Sequence, residues 1–130
     1  MSQENVEVIR RSYEHFNQEG EPDWNLFHPD AEFDASNVVG FGVIRGREEV
    51  LTALRDYASS FDEWQIEPEE LIDAGERVFA AVRDGGRMKA TGGEVYNRFF
   101  HVWYFDSGKV IAWKTFRDKD AALEAAGLRE

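Results

Sequence analysis

Residues 96–116 read YNRFFHVWYFDSGKVIAWKTF, in which two aromatic and β-branched runs flank Asp106-Ser107-Gly108. Such runs on either side of a short Gly-containing turn predict two long antiparallel strands. A three-residue loop that ends in Gly sets the register by placing Phe105 opposite Lys109. Further from the turn, the facing pairs are then Trp103 with Ile111, His101 with Trp113, Phe99 with Thr115 and Asn97 with Arg117.

The two faces of this hairpin differ in composition. Side chains alternate along a strand, so the odd-numbered residues of both strands share one face. That face mixes polar groups with aromatic rings, which is typical of a ligand cavity. The even-numbered face is nearly all apolar and would form an unusually large patch if it were exposed. We therefore expect a homodimer through this outer face, which would bury Phe100, Val102, Tyr104 and Val110.

Length and composition restrict the class of protein. A chain of 130 residues can form a core of its own and predicts a single domain over residues 1–130. The net charge of -11 argues against binding to nucleic acid or to an anionic membrane. The chain has no Cys and its His residues lack the spacing of a metal motif, so we expect neither a metal nor a cofactor. Without a signal-peptide pattern or a long apolar run, the expected location is the cytoplasm.

Apolar residues recur at helical spacing in the first half of the chain. An amphipathic helix over about residues 3–19, ending at Gly20, is predicted by the stripe Val6, Ile9, Tyr13 and Phe16. Pro22 suits the first position of a short second helix, which should end before His28-Pro29. A third helix is expected from Gly46 to about residue 60, with the stripe Val50, Leu54, Tyr57 and Phe61.

Short strands separated by turns account for most of the remaining chain. We expect strands over residues 31–36, 64–74 and 77–84, followed by a turn at Gly85-Gly86. Pro68 cannot donate to a ladder and therefore indicates an edge strand or a bulge. The apolar loop at residues 38–42 is expected to rim a cavity. With a last helix at residues 121–126, this order predicts an α+β fold whose helices lie on one face of a curved sheet.

Six segments, in their order and spacing, resemble the SnoaL-like branch of the NTF2-like superfamily over essentially the whole chain. They are NVEVIRRSYEHFN at 5–17, LFHPDAEF at 26–33, IRGREEV at 44–50, EPEELIDAGERV at 67–78, RFFHVWYFDSGKV at 98–110 and DKDAALEAAGL at 118–128. The resemblance implies a cone-shaped α+β barrel, in which a curved, mostly antiparallel sheet wraps around the N-terminal helices and encloses a cavity. It also implies a homodimer, since many members of the superfamily form one.

The resemblance does not fix an activity, because this fold hosts isomerases, polyketide cyclases, hydrolases and binding modules. A gapless match to ketosteroid isomerases of the same superfamily places their general-base Asp at Ala35, with Asp34 adjacent. Their oxyanion-hole Tyr and Asp fall at Ser12 and His101, so the match argues against steroid isomerase chemistry. The Asp–Arg–Asp set of limonene-epoxide hydrolases is likewise not recognisable at the hairpin positions, which hold Phe99, His101 and Trp103.

Three residues are the candidates for chemistry. An imidazole titrates near neutral pH, so His101 is the first candidate for a general acid or base, and a core His with one hydrogen-bonding neighbour is the alternative. Asp34 is a candidate base if a bulge turns it inward, and otherwise a solvated strand carboxylate. Arg117 is a candidate to bind a ligand carboxylate or enolate, and otherwise pairs with Asp118 or Asp120.

Residues that would contact a ligand are predicted from the odd-numbered hairpin face and from the N-terminal elements. They are Tyr13, Trp24, Phe33, Asn97, Phe99, Trp103, Trp113 and Thr115. The aromatic members are equally compatible with a packed core. One hypothesis is an isomerase, cyclase or hydrolase that acts on a small, largely apolar molecule through proton transfer by His101. The other is a non-catalytic binding or sensing module that uses the same cavity.

Overall fold

The structure is a computed structural model that describes residues 2–36 and 42–128. The described helices are α1 (Ser2–Glu19), α2 (Arg47–Ala58) and α3 (Lys119–Ala125), and a single 3-10 turn covers Trp24–Leu26. The described strands are β1 (Phe27–Asp34), β2 (Val43–Arg45), β3 (Gln65–Asp73), β4 (Arg77–Arg87), β5 (Glu94–Asp106) and β6 (Lys109–Phe116).

All of these strands belong to one curved, unclosed sheet with the order β2-β1-β6-β5-β4-β3. Neighbouring strands are antiparallel except for β1 and β6, which are parallel. We call the face covered by α1 and α2 the inner face and the opposite face, covered by α3, the outer face. The predicted cone-shaped α+β fold is confirmed. The expectation that every helix lies on the same face is wrong for α3, which packs on the other side.

The inner face carries the larger core. The predicted stripe of α1 is buried there, as are Val50 and Leu54 of α2. Gly20 ends α1 with a φ of 79°, a conformation that Gly adopts without strain. The predicted hairpin of β3 and β4 is present, and Pro68 lies in the edge strand β3 beside a bulge.

The outer face of the long hairpin is covered by the chain itself. Phe100 and Val102 pack with Ala122 and Ala126 beneath α3, and Val102 is fully buried. Val110 was expected beside them but lies in the inner core. The expected exposed patch is therefore not present, because α3 covers Phe100 and Val102. The homodimer remains a prediction, but an exposed outer face no longer supports it.

The register of the long hairpin differs from the expected one. The turn has two residues, Ser107-Gly108, both with positive φ, so Phe105 pairs with Val110. A bulge then shifts the ladder once more, and His101 faces Thr115 and not Trp113. The total shift relative to the expected register is even, so the odd-numbered residues of β5 still face inward.

The ends of several helices and strands also differ from the predicted ones. The expected second helix is only the single 3-10 turn, and Pro22 lies before its cap Asp23. His28-Pro29 lies within β1, which starts earlier and ends earlier than predicted, and β2 was not predicted. The third helix ends at Ala58, before the expected residue 60. Of the loop at 38–42, only Gly42 lies within the described residues.

Asn17 connects α1 to the edge strand β3 through two hydrogen bonds. Its side-chain amide donates to the Ile66 carbonyl at 2.8 Å and accepts from the Ile66 N–H at 2.9 Å. These bonds satisfy backbone groups of β3, the last strand at this edge of the described sheet. We expect Asn17→Ala to lower the free energy of unfolding by about 1–3 kcal/mol, because two partly buried backbone groups lose their partner.

Urea unfolding of the variant and the wild type measures this loss. Asn5→Ala is the matched control, since Asn5 lies on the same helix and makes an exposed 3.3 Å bond to the Gly75 carbonyl. The control should change stability by no more than about 0.5 kcal/mol. Equal effects of the two substitutions would contradict the role assigned to Asn17.

Candidate functional site

A cavity of about 240 Å³ lies between the inner face of the sheet and α2. We call it the inner cavity. Most of its wall is apolar, including Phe33, Leu54 and Phe99, and Gly42 lies at its exposed rim. Four polar side chains also reach the wall: Tyr57, Asp84, His101 and Thr115. A small apolar cavity with few polar groups is the usual form of a small-molecule site.

Asp84 is the acidic group of this cavity. The residue is 4% exposed, and its Oδ1 accepts a hydrogen bond from the Tyr57 hydroxyl at 3.1 Å. Burial raises the pKa of Asp84 from 3.8 to about 6. The donors Tyr57, Trp64 and Asn97 and the charge of Arg117 oppose that rise, although the buried Trp64 indole N–H has no hydrogen bond of good geometry. The carboxyl therefore titrates within about one pH unit of neutrality, which suits a general acid or base.

Local structure explains why Asp84 points inward. Val78, Ala80, Val82 and Asp84 alternate along β4, so they share the inner face. Tyr57 follows Leu54 at helical spacing on α2 and completes the other wall. The predicted strand ends at Asp84, with a turn at Gly85-Gly86, but both glycines continue the strand. The alternation along β4 is the sequence signal that would have identified this residue.

His101 lines the same cavity and is held from behind by α1. The Tyr13 hydroxyl lies 2.8 Å from His101 Nδ1, and the Trp103 indole N–H donates to Tyr13 at 2.9 Å. Burial lowers the pKa of His101 to about 3, so the imidazole is neutral at physiological pH. A neutral imidazole with such a low pKa is a weak base and no acid, and it acts best as a hydrogen-bond donor.

Asp84 and His101 lie at separate parts of the wall. Asp84 pairs with Asn97, and His101 lies four residues further along β5. At ~3.4 Å per residue, the two backbone positions are roughly 14 Å apart along the strand. The two side chains would therefore contact different parts of a bound molecule.

The other candidates for chemistry lie outside the inner cavity. Asp34 is partly exposed, and its carboxylate accepts from the Ser36 N–H and hydroxyl in a turn. The Ser36 hydrogen bonds and the charge of Lys114 outweigh the larger desolvation effect and lower the pKa of Asp34. Its neighbour Ala35 lines the cavity instead. Arg117 is exposed, with its guanidinium 5.1 Å from the centre of the Phe99 ring.

The predicted ligand contacts divide into three groups. Phe33, Phe99, Trp113 and Thr115 line the inner cavity. Tyr13 and Trp103 lie behind that wall, and the Asn97 side chain donates to the Tyr57 hydroxyl at 3.3 Å. Trp24 lines a second groove of about 270 Å³, in which Arg47 lies over its ring. Phe33 and Trp113 border both spaces, but the buried acidic group belongs to the inner cavity alone.

Within residues 2–36 and 42–128, no group of three or more His, Asp or Glu side chains is placed to hold a metal ion. None of the helices in that part of the chain is long and apolar enough to cross a membrane.

Comparison with known proteins identifies the family. The model of the SnoaL-like domain matches residues 9–113. The chain belongs to the SnoaL-like family. A search of curated proteins gives no match for this SnoaL-like chain.

Solved structures support the fold of this SnoaL-like protein. An NTF2-like protein of unknown function from Burkholderia pseudomallei shares 24% identity over 92% of this chain and 95% of its own, with a TM-score of 0.74. A candidate SnoaL-like polyketide cyclase from Jannaschia shares 18% identity over 99% of this chain and 95% of its own, with a TM-score of 0.74. The epoxide hydrolase/cyclase-like enzyme SalBIII shares 21% identity over 88% of this chain and 90% of its own, with a TM-score of 0.71. At these identities the likeness extends to the fold and not to the chemistry.

Proposed function

We propose that this SnoaL-like protein is an enzyme that binds a small, largely apolar molecule in the inner cavity and moves a proton with Asp84. The observation that carries the proposal is a carboxyl group buried in an apolar wall, hydrogen-bonded to Tyr57 and with its pKa raised to about 6. A carboxylate that is poorly solvated is a stronger base than one in water. Isomerisation, cyclisation and epoxide opening all use such a group.

His101 has a different role in this proposal from the one expected of it. As a neutral imidazole it would donate a hydrogen bond to an oxygen of the ligand, while Asp84 accepts or donates a proton at another atom. Thr115 faces His101 across the ladder and also lines the cavity, so its hydroxyl is available to the same part of the ligand.

The size and lining of the cavity limit the ligand class. At about 240 Å³ the cavity lies at the small end of ligand pockets, which favours a molecule of one or two rings. SalBIII, an epoxide hydrolase/cyclase-like enzyme, acts in pyran ring formation, and a related ring-forming or ring-opening reaction is compatible with this cavity.

A non-catalytic binding module is the second candidate. The separation between Asp84 and His101 favours it, because the two polar groups do not meet at one reacting atom. Binding without turnover would leave the raised pKa of Asp84 without a chemical role.

A model reaction tests the enzyme hypothesis without knowledge of the natural substrate. The ring opening of 5-nitrobenzisoxazole needs only a base: the ring C–H proton is removed, the N–O bond breaks and a coloured cyanophenolate forms. We expect wild-type protein to accelerate this reaction as Asp84 ionises through pH about 6. Asp84→Asn should reduce the rate by about 10²–10⁴-fold, the usual contribution of a positioned base.

Asp34→Asn is the matched control, because it removes a carboxylate that lies outside the cavity. Its rate should equal that of the wild type. Quenching of tryptophan fluorescence reports whether the compound binds, since Trp64 and Trp113 line the cavity. Binding with the same slow rate in wild type and Asp84→Asn would reject the enzyme hypothesis and support the binding module.

A further inference from the structure

Three rings form a buried chain of hydrogen bonds that leads from the core to the cavity wall. Trp103, Tyr13 and His101 are each at most 4% exposed. The first bond joins the Trp103 indole nitrogen to the Tyr13 hydroxyl, and the second joins that hydroxyl to His101 Nδ1. Neither Tyr13 nor Trp103 lines the inner cavity, and Tyr13 is linked to it through its hydrogen bond to His101.

The direction of these bonds follows from the donors available. An indole N–H can only donate, so the Tyr13 oxygen accepts from Trp103. The Tyr13 hydroxyl proton then needs an acceptor, and among the described residues His101 Nδ1 is the one within hydrogen-bond distance. The reverse arrangement, in which Nδ1–H donates to Tyr13, would leave the hydroxyl proton buried without a partner. His101 Nδ1 is therefore the acceptor, and the ring proton belongs on Nε2.

The other ring nitrogen faces the cavity. Among the described residues no group hydrogen-bonds His101 Nε2. This atom is also not one of the sealed side-chain nitrogens without a partner, which are those of Trp64 and Trp113. Because His101 lines the inner cavity, Nε2 reaches its open space.

We propose that Tyr13 is a positioning residue that fixes His101 as the Nε2–H tautomer, so that His101 donates to a ligand oxygen and cannot accept from a ligand N–H. The tautomer is a property of the free protein, whereas its consequence for the ligand rests on the proposed function. Thr115, which faces His101, has a hydroxyl that can both donate and accept, so the selectivity belongs to the His101 nitrogen alone.

Nitrogen NMR of protein labelled with ¹⁵N-histidine tests the inference, because protonated and unprotonated ring nitrogens resonate far apart. We expect wild-type His101 to show one tautomer, with Nε2 protonated and Nδ1 unprotonated. In Tyr13→Phe both signals should move towards each other as the second tautomer becomes populated. His101→Gln assigns the signals by removing them. A simple packing role for Tyr13 would not move these resonances, since Phe keeps the ring.

Tyr57→Phe is the matched control, because it removes a hydroxyl that bonds Asp84 and not His101. It should leave the His101 signals unchanged. Wild-type protein with the proton on Nδ1 would overturn the inference even if Tyr13→Phe failed to fold, and so would a Tyr13→Phe spectrum identical to that of the wild type. Inactivity towards 5-nitrobenzisoxazole together with the expected tautomer would reject the proposed function and leave this inference standing.

Discussion

Asp84→Asn is expected to increase the free energy of unfolding at pH 8 by about 3 kcal/mol, while it removes the proposed base. The reason is that ionised Asp84 is buried, and the difference between a pKa of 3.8 and one of about 6 corresponds to about 3 kcal/mol. Asn has nearly the same shape and can keep a hydrogen bond to the Tyr57 hydroxyl, but it carries no charge.

The pH dependence of this gain has a definite sign. Because the folded pKa is raised, the folded protein binds more protons than the unfolded chain between about pH 4 and pH 6. The contribution of Asp84 to stability is therefore fully present below pH about 4 and is lost as the pH rises through about 6. The advantage of Asp84→Asn over the wild type should grow across that interval and stay constant above it. Urea unfolding at a series of pH values measures it.

His101→Gln is expected to change stability with pH in the opposite direction from Asp84→Asn. The pKa of His101 is lowered by burial from 6.5 to about 3, so the unfolded chain binds its proton first as the solution is acidified. His101 therefore costs stability as the pH falls below 6.5, and His101→Gln should gain on the wild type towards acid pH. If both variants gained on the wild type in the same pH direction, the burial assigned to one of the two groups would be wrong.

Gly85→Ala is expected to lower the free energy of unfolding by more than about 3 kcal/mol, or to prevent folding altogether. Gly85 has a φ of 149°, which residues with a side chain rarely adopt. An added Cβ would also overlap the carbonyl oxygen of Val95 and come within 2.8 Å of Tyr96 Cα. Both obstacles are backbone atoms of the paired strand β5, so neither can move without breaking the sheet next to Asp84.

Gly93→Ala is the control for this substitution. Gly93 has no positive φ, and the nearest atom to its added Cβ is the Thr91 hydroxyl oxygen at 3.5 Å, an ordinary contact. Its stability should stay within about 0.5 kcal/mol of the wild type. Thermal or urea unfolding of both variants measures the difference. A Gly85→Ala protein as stable as Gly93→Ala would contradict the close approach of β5 to Gly85.

The candidate site was partly predictable from the sequence. Period-two alternation placed His101, Trp113 and Thr115 on one inward face, and the structure places all three at the cavity. The expected partner of His101 was wrong because a two-residue turn and a bulge together shifted the ladder by an even number of residues. The face was unaffected, since only an odd shift exchanges the two faces of a strand.

Asp84 was missed because local sequence rules describe glycine pairs as turns. Gly85 and Gly86 have another use here: strand β5 and the Glu63 carbonyl approach them too closely for any side chain. That approach involves residues outside β4, so the sequence next to Asp84 does not show that the strand continues, although the alternation from Val78 to Asp84 indicates the inner face. The raised pKa of Asp84 likewise depends on burial under α2 and the opposite wall.

The sequence alone determined the elements whose patterns are local. The stripe of α1, the faces of the long-hairpin residues beyond the bulge and the edge position of Pro68 follow from periodicity and from backbone chemistry. Tertiary structure decided which faces are covered and which polar groups are desolvated. The cover of Phe100 and Val102 by α3 and the neutral state of His101 depend on contacts between distant segments, and such contacts set burial and pKa.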